Sequence, residues 1–501
     1  MEKKYTFKID KSSNGINKFS LNITEELEYL HIDVLIPNKL KYASFIVVED
    51  EKSNIRLQKL LGYGEQRLGI GKTPMVTTIG GVPGGIGIGQ WKITLVIFKD
   101  YLKRWIGEEN INIDINVSDK KENITEPIGE VTWVDGEHGL MVDDENYDMK
   151  KLYNSEFRWY KGDFHTHTTL SDGKETVVNA MKKAKDMNLD FYIPTEHNLM
   201  HTGWQNSDIM ILPGIEITTE DGHCNLFNIK SMPKIVVDMF SSIKEINMEE
   251  AIKETVKEAK ENNCVVSINH PFLTEWKWRY YNLELKYVDC IEIINDPTYT
   301  YAKNSNEKAL KFIDLLWEDG HKIWGIGGSD AHNLIEERYE GASEPSIAGD
   351  PGTFIFCEGL TPENLLKSVK NGHIYVSRKC TIIPEIIVGN RKYIPGDKID
   401  IDDEEYIDYK VKISNLNEEP LAYAIINNKK VEIPIKCKEN MYFAEIRTKF
   451  NREQYNWMRV EIRKANGDFL AYVNPIYYGE KESKYNLFGE FVALVEEYIE
   501  D

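Results

Sequence analysis

At 501 residues the chain is too long for one compact core. Its 41% hydrophobic, 11% aromatic and 29% charged residues exclude a disordered or fibrous chain, so two or three globular domains of about 100 to 200 residues are expected. The 61 basic and 82 acidic residues leave a net charge of −21, a field that repels nucleic-acid backbones and anionic membrane surfaces, and neither is an expected partner.

The amino-terminal MEKKYTFKID has no signal-peptide core, and no stretch reaches the roughly 18 consecutive apolar residues of a membrane span. A cytoplasmic protein is expected. Residues 1–123 read as strands between polar and glycine-containing turns, with EYLHIDVLIP, YASFIVVED and QWKITLVIFKD the clearest, and predict a β-sandwich-like N-terminal domain. Within it, the glycine-dense Ile79 to Gly89 lacks the Lys-Ser/Thr of a P-loop and reads as a loop. Residues 124–158 form a connecting segment.

From 159 to 380 strands and helices alternate. Helical spacing of apolar residues marks Glu175–Met187, Met248–Asn262, Asn306–Glu318 and Pro362–Asn371, and between them stand DFYIPT, IMILPGIEIT, CVVSIN, VDCIEIIN and KIWGIGG. That rhythm predicts a largely parallel sheet or barrel with functional residues at the carboxyl ends of its strands. Residues 381–501 turn β-rich again through IIPEIIVG, YKVKISN, LAYAIINN and MRVEIRKA, and finish on one amphipathic helix, Lys484–Ile499. The six cysteines form no CxxC pair and read as small buried thiols in a reducing compartment.

Six of the eleven histidines, His165, His167, His197, His223, His270 and His332, fall in the middle region, each at or just after a predicted strand. In GDFHTHTTLSDG the two histidines stand two apart, and residues so spaced on an extended segment project to one face. GSDAH repeats that spacing with Asp330 and His332 after the strand KIWGIG. Between them come TEHN, GIE, GHCN and NHP, each at a strand end. Asp172, Glu216 and Asp330 with the six histidines make nine donors. A catalytic zinc typically takes about three protein ligands plus water, so the surplus predicts two or three divalent ions. Imidazole and carboxylate without thiolate suit zinc, manganese or iron.

The ordered set HTH, SDG, EHN, GIE, NHP and SDAH resembles the polymerase and histidinol phosphatase (PHP) superfamily of metallohydrolases over about Trp159 to Ser377. GDFHTH together with E-x-T-T-x-x-G-H-x-N at Glu216 to Asn225 is most similar to its carbaryl-hydrolase-like branch. The resemblance implies a distorted seven-stranded βα barrel, here flanked by N-terminal and C-terminal β-sheet domains. It implies one ion at His165, His167, Glu216 and Asp330, a second sharing Glu216 and taking His270 with or without His223, and a third at Asp172, His197 and His332. Glu196 stands where most members have aspartate; that position is not a ligand, so the change bears on the support around the site.

The implied reaction is hydrolysis of a small-molecule phosphoester, or of a carboxylic or carbamic ester, by a hydroxide bridging two ions. Glu216, Asp330 and His197 form the expected catalytic set, and no G-x-S-x-G nucleophile elbow competes with them. His201, and Lys277 and Arg279 in the aromatic WKWRYY after His270, are the expected substrate contacts, with Arg338 and Arg378 as further candidate cations. Two alternatives stand beside this reading: a metal-stabilised binding or scaffold protein without turnover, and a nuclease of the same superfamily, which the acidic charge disfavours.

Overall fold

In the N-terminal region, alternation of apolar and polar residues produces eight strands: β1 Glu2–Ile9, β2 Ile16–Ile23, β3 Tyr29–Leu35, β4 Ser44–Glu49, β5 Ile55–Leu60, β6 Arg67–Gly71, β7 Gly89–Ile97 and β8 Ile111–Ser118. They pair antiparallel in two four-stranded sheets, β1-β8-β3-β6 and β2-β7-β4-β5, around a core that includes Leu30, Ile32, Ile46, Val48 and Trp91. Both faces of β4 are buried. Ile46 and Val48 point into the sandwich, while Phe45 and Val47 join the core of the region that follows. The computed structural model describes residues 1–13, 15–62, 66–98, 110–241, 246–402 and 405–500; Lys99 and Asp100 of the predicted strand QWKITLVIFKD lie outside them.

The next strands are β9 Val131–Thr132, β10 Asn154–Asp163, β11 Phe191–Tyr192, β12 Gly203–Trp204, β13 Met210–Ile211, β14 Gly214–Thr219, β15 Gly222–Phe227, β16 Val265–Ile268, β17 Cys290–Asn295, β18 Trp324–Gly328, β19 Gly352–Leu360 and β20 Ile374–Ser377. After them come β21 Thr381–Val388, β22 Arg391–Tyr393, β23 Ile407–Ser414, β24 Leu421–Ile426, β25 Lys429–Ile433, β26 Ile435–Lys438, β27 Met441–Thr448, β28 Asn456–Arg463 and β29 Phe469–Tyr478.

These strands do not make the expected seven-stranded βα barrel flanked by sheet domains. They lie in a five-stranded sheet, β14-β15-β16-β17-β18, and a nine-stranded sheet, β13-β11-β10-β19-β20-β29-β28-β24-β25, in which most pairs are antiparallel. Two features hidden by the strand-helix rhythm are responsible. Glu220 and Asp221, followed by Gly222 at φ +125°, fold β14 straight back on β15 as a hairpin instead of a helical crossover. The neighbour of β20 on its far side is β29, about a hundred residues further along the chain. Parallel pairing survives only locally, in β10-β11-β13 and in β16-β17-β18.

Helices cover Val177–Asp186, Met248–Glu261, Ala302–Asp319 and Pro362–Lys370. Thr176, Asn247 and Thr361 cap three of them by accepting a backbone N–H three residues on. The helix at Ala302 starts four residues before the predicted Asn306, Lys234–Ser241 is a further helix, and Phe488–Glu500 is the terminal one. β9 and β12 pair as a two-stranded sheet, and the remaining strands form the sheet β22-β21-β23-β27-β26, which shares a core with β24, β28 and β29. Among the described residues no helix is long and apolar enough to cross a membrane. The six cysteines are free, and only Cys437 is exposed.

Candidate metal centre

β10 ends at Asp163, and the chain bends at Phe164 and His165 before a single bridge residue, Thr166. Thr166 bridges Ala331 in parallel, which sets His165 and His167 opposite Asp330 and His332, the four side chains turned to one face. Asp330 Oδ1 lies 3.3 Å from His165 Nε2 and 3.0 Å from His167 Nε2. Glycine is required next to this junction: a Cβ on Gly328 would overlap His165 Cβ and Glu292 Oε1.

Glu216, on β14, is fully buried and lies at the centre of the group. Its oxygens approach His165 Nε2 at 3.2 Å, His167 Nε2 at 3.6 Å, His197 Nδ1 at 2.6 Å, His223 Nδ1 at 3.2 Å and His270 Nε2 at 3.7 Å. The short strand β11 and the parallel bridge from His197 to Glu216 bring His197 in. β15 supplies His223 as part of the hairpin. Asp172, past the SDG turn, stands 3.5 Å from His197 Nε2 and 3.3 Å from His332 Nε2. All nine predicted ligands are thus brought together.

Burial by itself would raise the carboxyls and lower the imidazoles. The opposite charges reverse this for several groups: His165, His197 and His223 hold Glu216 well below the usual carboxylate range, and Asp172 carries His332 up to about 10. His167, deeply buried and beside His332 and His197, falls to about 4. Two of the loops carry backbone strain, with φ +50° at Asp330 and +27° at His270. Each is held by its own N–H, the former donating to His165 O (2.9 Å) and the latter to Glu292 Oε2 (2.8 Å).

The donor set fits divalent transition metals. His165 Nε2, both ring nitrogens of His167, His223 Nδ1, His270 Nδ1 and Asp330 Oδ1 are buried without a hydrogen-bond partner. So many orphaned polar atoms around one carboxylate is an expense that interiors ordinarily avoid, and bound cations would satisfy the inward-facing ones. Four compact groupings emerge: His167, Asp172, His197 and His332; His165, His167 and Asp330; His165, His270 and Glu292; and His197, Glu216 and His223.

Sequence reasoning missed Glu292. Its Oε1 lies 3.0 Å from His165 Nδ1 while Oε2 accepts the His270 N–H. The one available signal was that it is the only charge inside the apolar run CIEIIN. Asp163 was missed too; it accepts from the N–H groups of His165, Ser329 and Gly349 and so ties three segments together. Glu196 accepts from Thr168 N (3.0 Å), Thr168 Oγ1 (2.5 Å) and Ser171 N (3.2 Å), and clasps the loop between His167 and Asp172. Although burial would raise it, the His201 contact and its neighbours bring Glu196 down to about 2.

Above the ligands opens a cavity of about 1070 Å³ lined in part by Asp172, His197, His223, His270, Asp330 and His332. The predicted substrate contacts do not line it. His201 is buried against Glu196 (2.8 Å) and Trp204. Arg279 donates to the carbonyls of Glu220 and Glu275, and Lys277 is likewise absent from the lining. Arg338 donates to the carbonyls of Ile335 and Glu337, and Arg378 pairs with Glu344 and Asp350. Asp296 does face the cavity: its Oδ1 accepts from Thr298, its Oδ2 is buried and unpartnered, and burial lifts it to about 6. No family model matches the chain, and no curated protein matches it.

Proposed function

We propose that the protein is a metal-dependent hydrolase of a small-molecule ester, either a phosphoester or a carboxylic or carbamic ester. The observation that carries this reading is the ring of buried imidazole and carboxylate atoms around Glu216 that lack hydrogen-bond partners at the floor of an open cavity. The order of the motifs supports a place in the PHP superfamily, and the free cysteines support a reducing, cytoplasmic setting.

His165, His167, Asp330 and Glu216 would hold one ion, Glu216 with His270 and His223 a second, and Asp172, His197 and His332 a third. Zinc, manganese or iron held there would acidify water near neutral pH and withdraw electron density from the ester. Glu292 Oε1 retains the proton on His165 Nδ1 and leaves the Nε2 lone pair for ligation. The carboxyl of Asp296, which lines the cavity and is raised to about 6 by burial, would donate a proton to a leaving oxygen.

The test is elemental analysis of the purified chain combined with turnover of 4-nitrophenyl phosphate, bis(4-nitrophenyl) phosphate, 4-nitrophenyl acetate and an aryl carbamate. About two or three transition-metal ions per chain are expected. Hydrolysis of at least one probe is expected, and its loss in His165→Ala and Asp330→Ala. Unaltered turnover in those variants overturns the reading, and stoichiometric metal with no turnover on any probe favours a metal-stabilised binding protein.

A further inference from the structure

The cavity above the metal ligands is not built by the middle region alone. Phe45 on β4, Leu60 at the end of β5, and Phe98 just beyond β7 form one of its walls, and all three belong to the N-terminal sandwich. Phe45 packs at 5.3 Å from Phe98 and 5.1 Å from Phe240. Another part of the lining is aromatic as well: Trp276, Tyr299 and Tyr339 form a chain of rings with centroids 6.3 and 5.1 Å apart.

The wall is held firmly against the ligand loops. Leu60 N–H donates to Leu170 O (3.2 Å), Gln58 Nε2 to Met200 O (2.5 Å), and the buried Lys59 Nζ to Thr169 O. One strand of the sandwich therefore fixes both the loop that presents Asp172 and the loop after His197. The charge of the lining is one-sided. Glu220, Asp221, Glu275 and Asp296 line it above the candidate ligands, and Lys174 is the only lysine or arginine among the described lining residues, already bound to Glu337 at 2.8 Å.

We infer that the N-terminal sandwich is the specificity element of the enzyme: the part of the substrate beyond the scissile bond is an uncharged or cationic group with an apolar face, seated between Phe98 and Leu60 on one side and the Trp276–Tyr339 wall on the other. This rests on the hydrolase reading above. Cationic charge for a second anionic group is missing from both walls, and an apolar group gains by leaving water there.

The experiment compares metal-loaded wild type, Phe98→Ala and Leu60→Ala on 4-nitrophenyl acetate, 4-nitrophenyl benzoate and 4-nitrophenyl phosphate, with metal content measured in each. In parallel, binding of 4-nitrophenol at pH 6, where it is neutral, is followed by quenching of tryptophan fluorescence. The expected result is a wild-type preference for benzoate over acetate. Both variants should lose about 10-fold in kcat/KM on benzoate and less than about twofold on acetate, with metal retained. 4-Nitrophenol affinity should weaken with them. A benzoate-to-acetate ratio unchanged in both variants overturns the inference. If no probe turns over, the hydrolase reading fails on its own, and the binding arm still decides: weakened 4-nitrophenol binding in the variants supports the wall, and unchanged binding overturns it.

Discussion

Glu292 and His165 form a buried pair, Oε1 to Nδ1 at 3.0 Å, and the other oxygen of the same carboxylate holds the strained backbone of His270 at 2.8 Å. One side chain thereby orients two candidate ligands. Glu292→Gln keeps the shape and removes the charge that fixes the imidazole tautomer, so metal affinity should fall about 10- to 100-fold while the fold persists. Competition with a chromogenic chelator measures it, and an unchanged dissociation constant would contradict the role.

Asp296 gives a prediction in pH. Burial raises its carboxyl to about 6, so the protonated form is present below that value and lost above it. As the proton donor it makes kcat on an ester with a poor leaving group decline as pH rises through about 6. Asp296→Asn should flatten that limb and lower kcat by about 100-fold or more on such an ester, with little effect on a 4-nitrophenyl ester, whose leaving group needs no proton.

Lys59 supplies a stability prediction of definite sign. Burial lowers its pKa from the unfolded 10.5 to about 8, against the raising influence of Glu126 and Glu196. Between those values the unfolded chain binds the proton more tightly than the folded one, so stability from this residue rises with pH across about 8 to 10.5, and below 8 its burial carries the full cost of about 3 kcal/mol. Urea denaturation over that range should show wild-type stability climbing relative to Lys59→Met. Parallel pH profiles would refute it.

The buried Arg459 joins β28 to the helix Ala302–Asp319 through Asp314, at 2.5 and 2.8 Å, and also meets Glu461 at 2.9 Å. Removing it strands the buried Asp314 carboxylate, while Glu461 keeps its pair with Arg463. Arg459→Ala should cost about 3 to 5 kcal/mol, read as a fall in the thermal unfolding midpoint, whereas Lys120→Ala at the exposed Glu2 pair should change it little.

The candidate ligands were legible because each stands in a short polar motif directly after an apolar run, a pattern carried by local chain order. His165, His167, Asp330 and His332 needed only the period of an extended chain. The architecture was not legible for the complementary reason. Whether Gly214–Thr219 crosses over or turns back depends on Glu220, Asp221 and Gly222, which read equally well as a ligand-bearing loop, and the partner of β20 is set by packing with residues about a hundred positions away. His201, Lys277 and Arg279 were misplaced for a third reason: nearness to a ligand in sequence does not say which way a loop side chain turns. Arg279 turned to backbone carbonyls, and His201 to Glu196.

The sheet that carries His165 and His167 through β10 also contains β29, with β19 and β20 between them. During synthesis, the chain must therefore reach about Tyr478 before the second edge of β20 is covered, well after every candidate ligand has been made. A nascent chain stalled before residue 469 would present the full set of candidate donors on an unfinished scaffold.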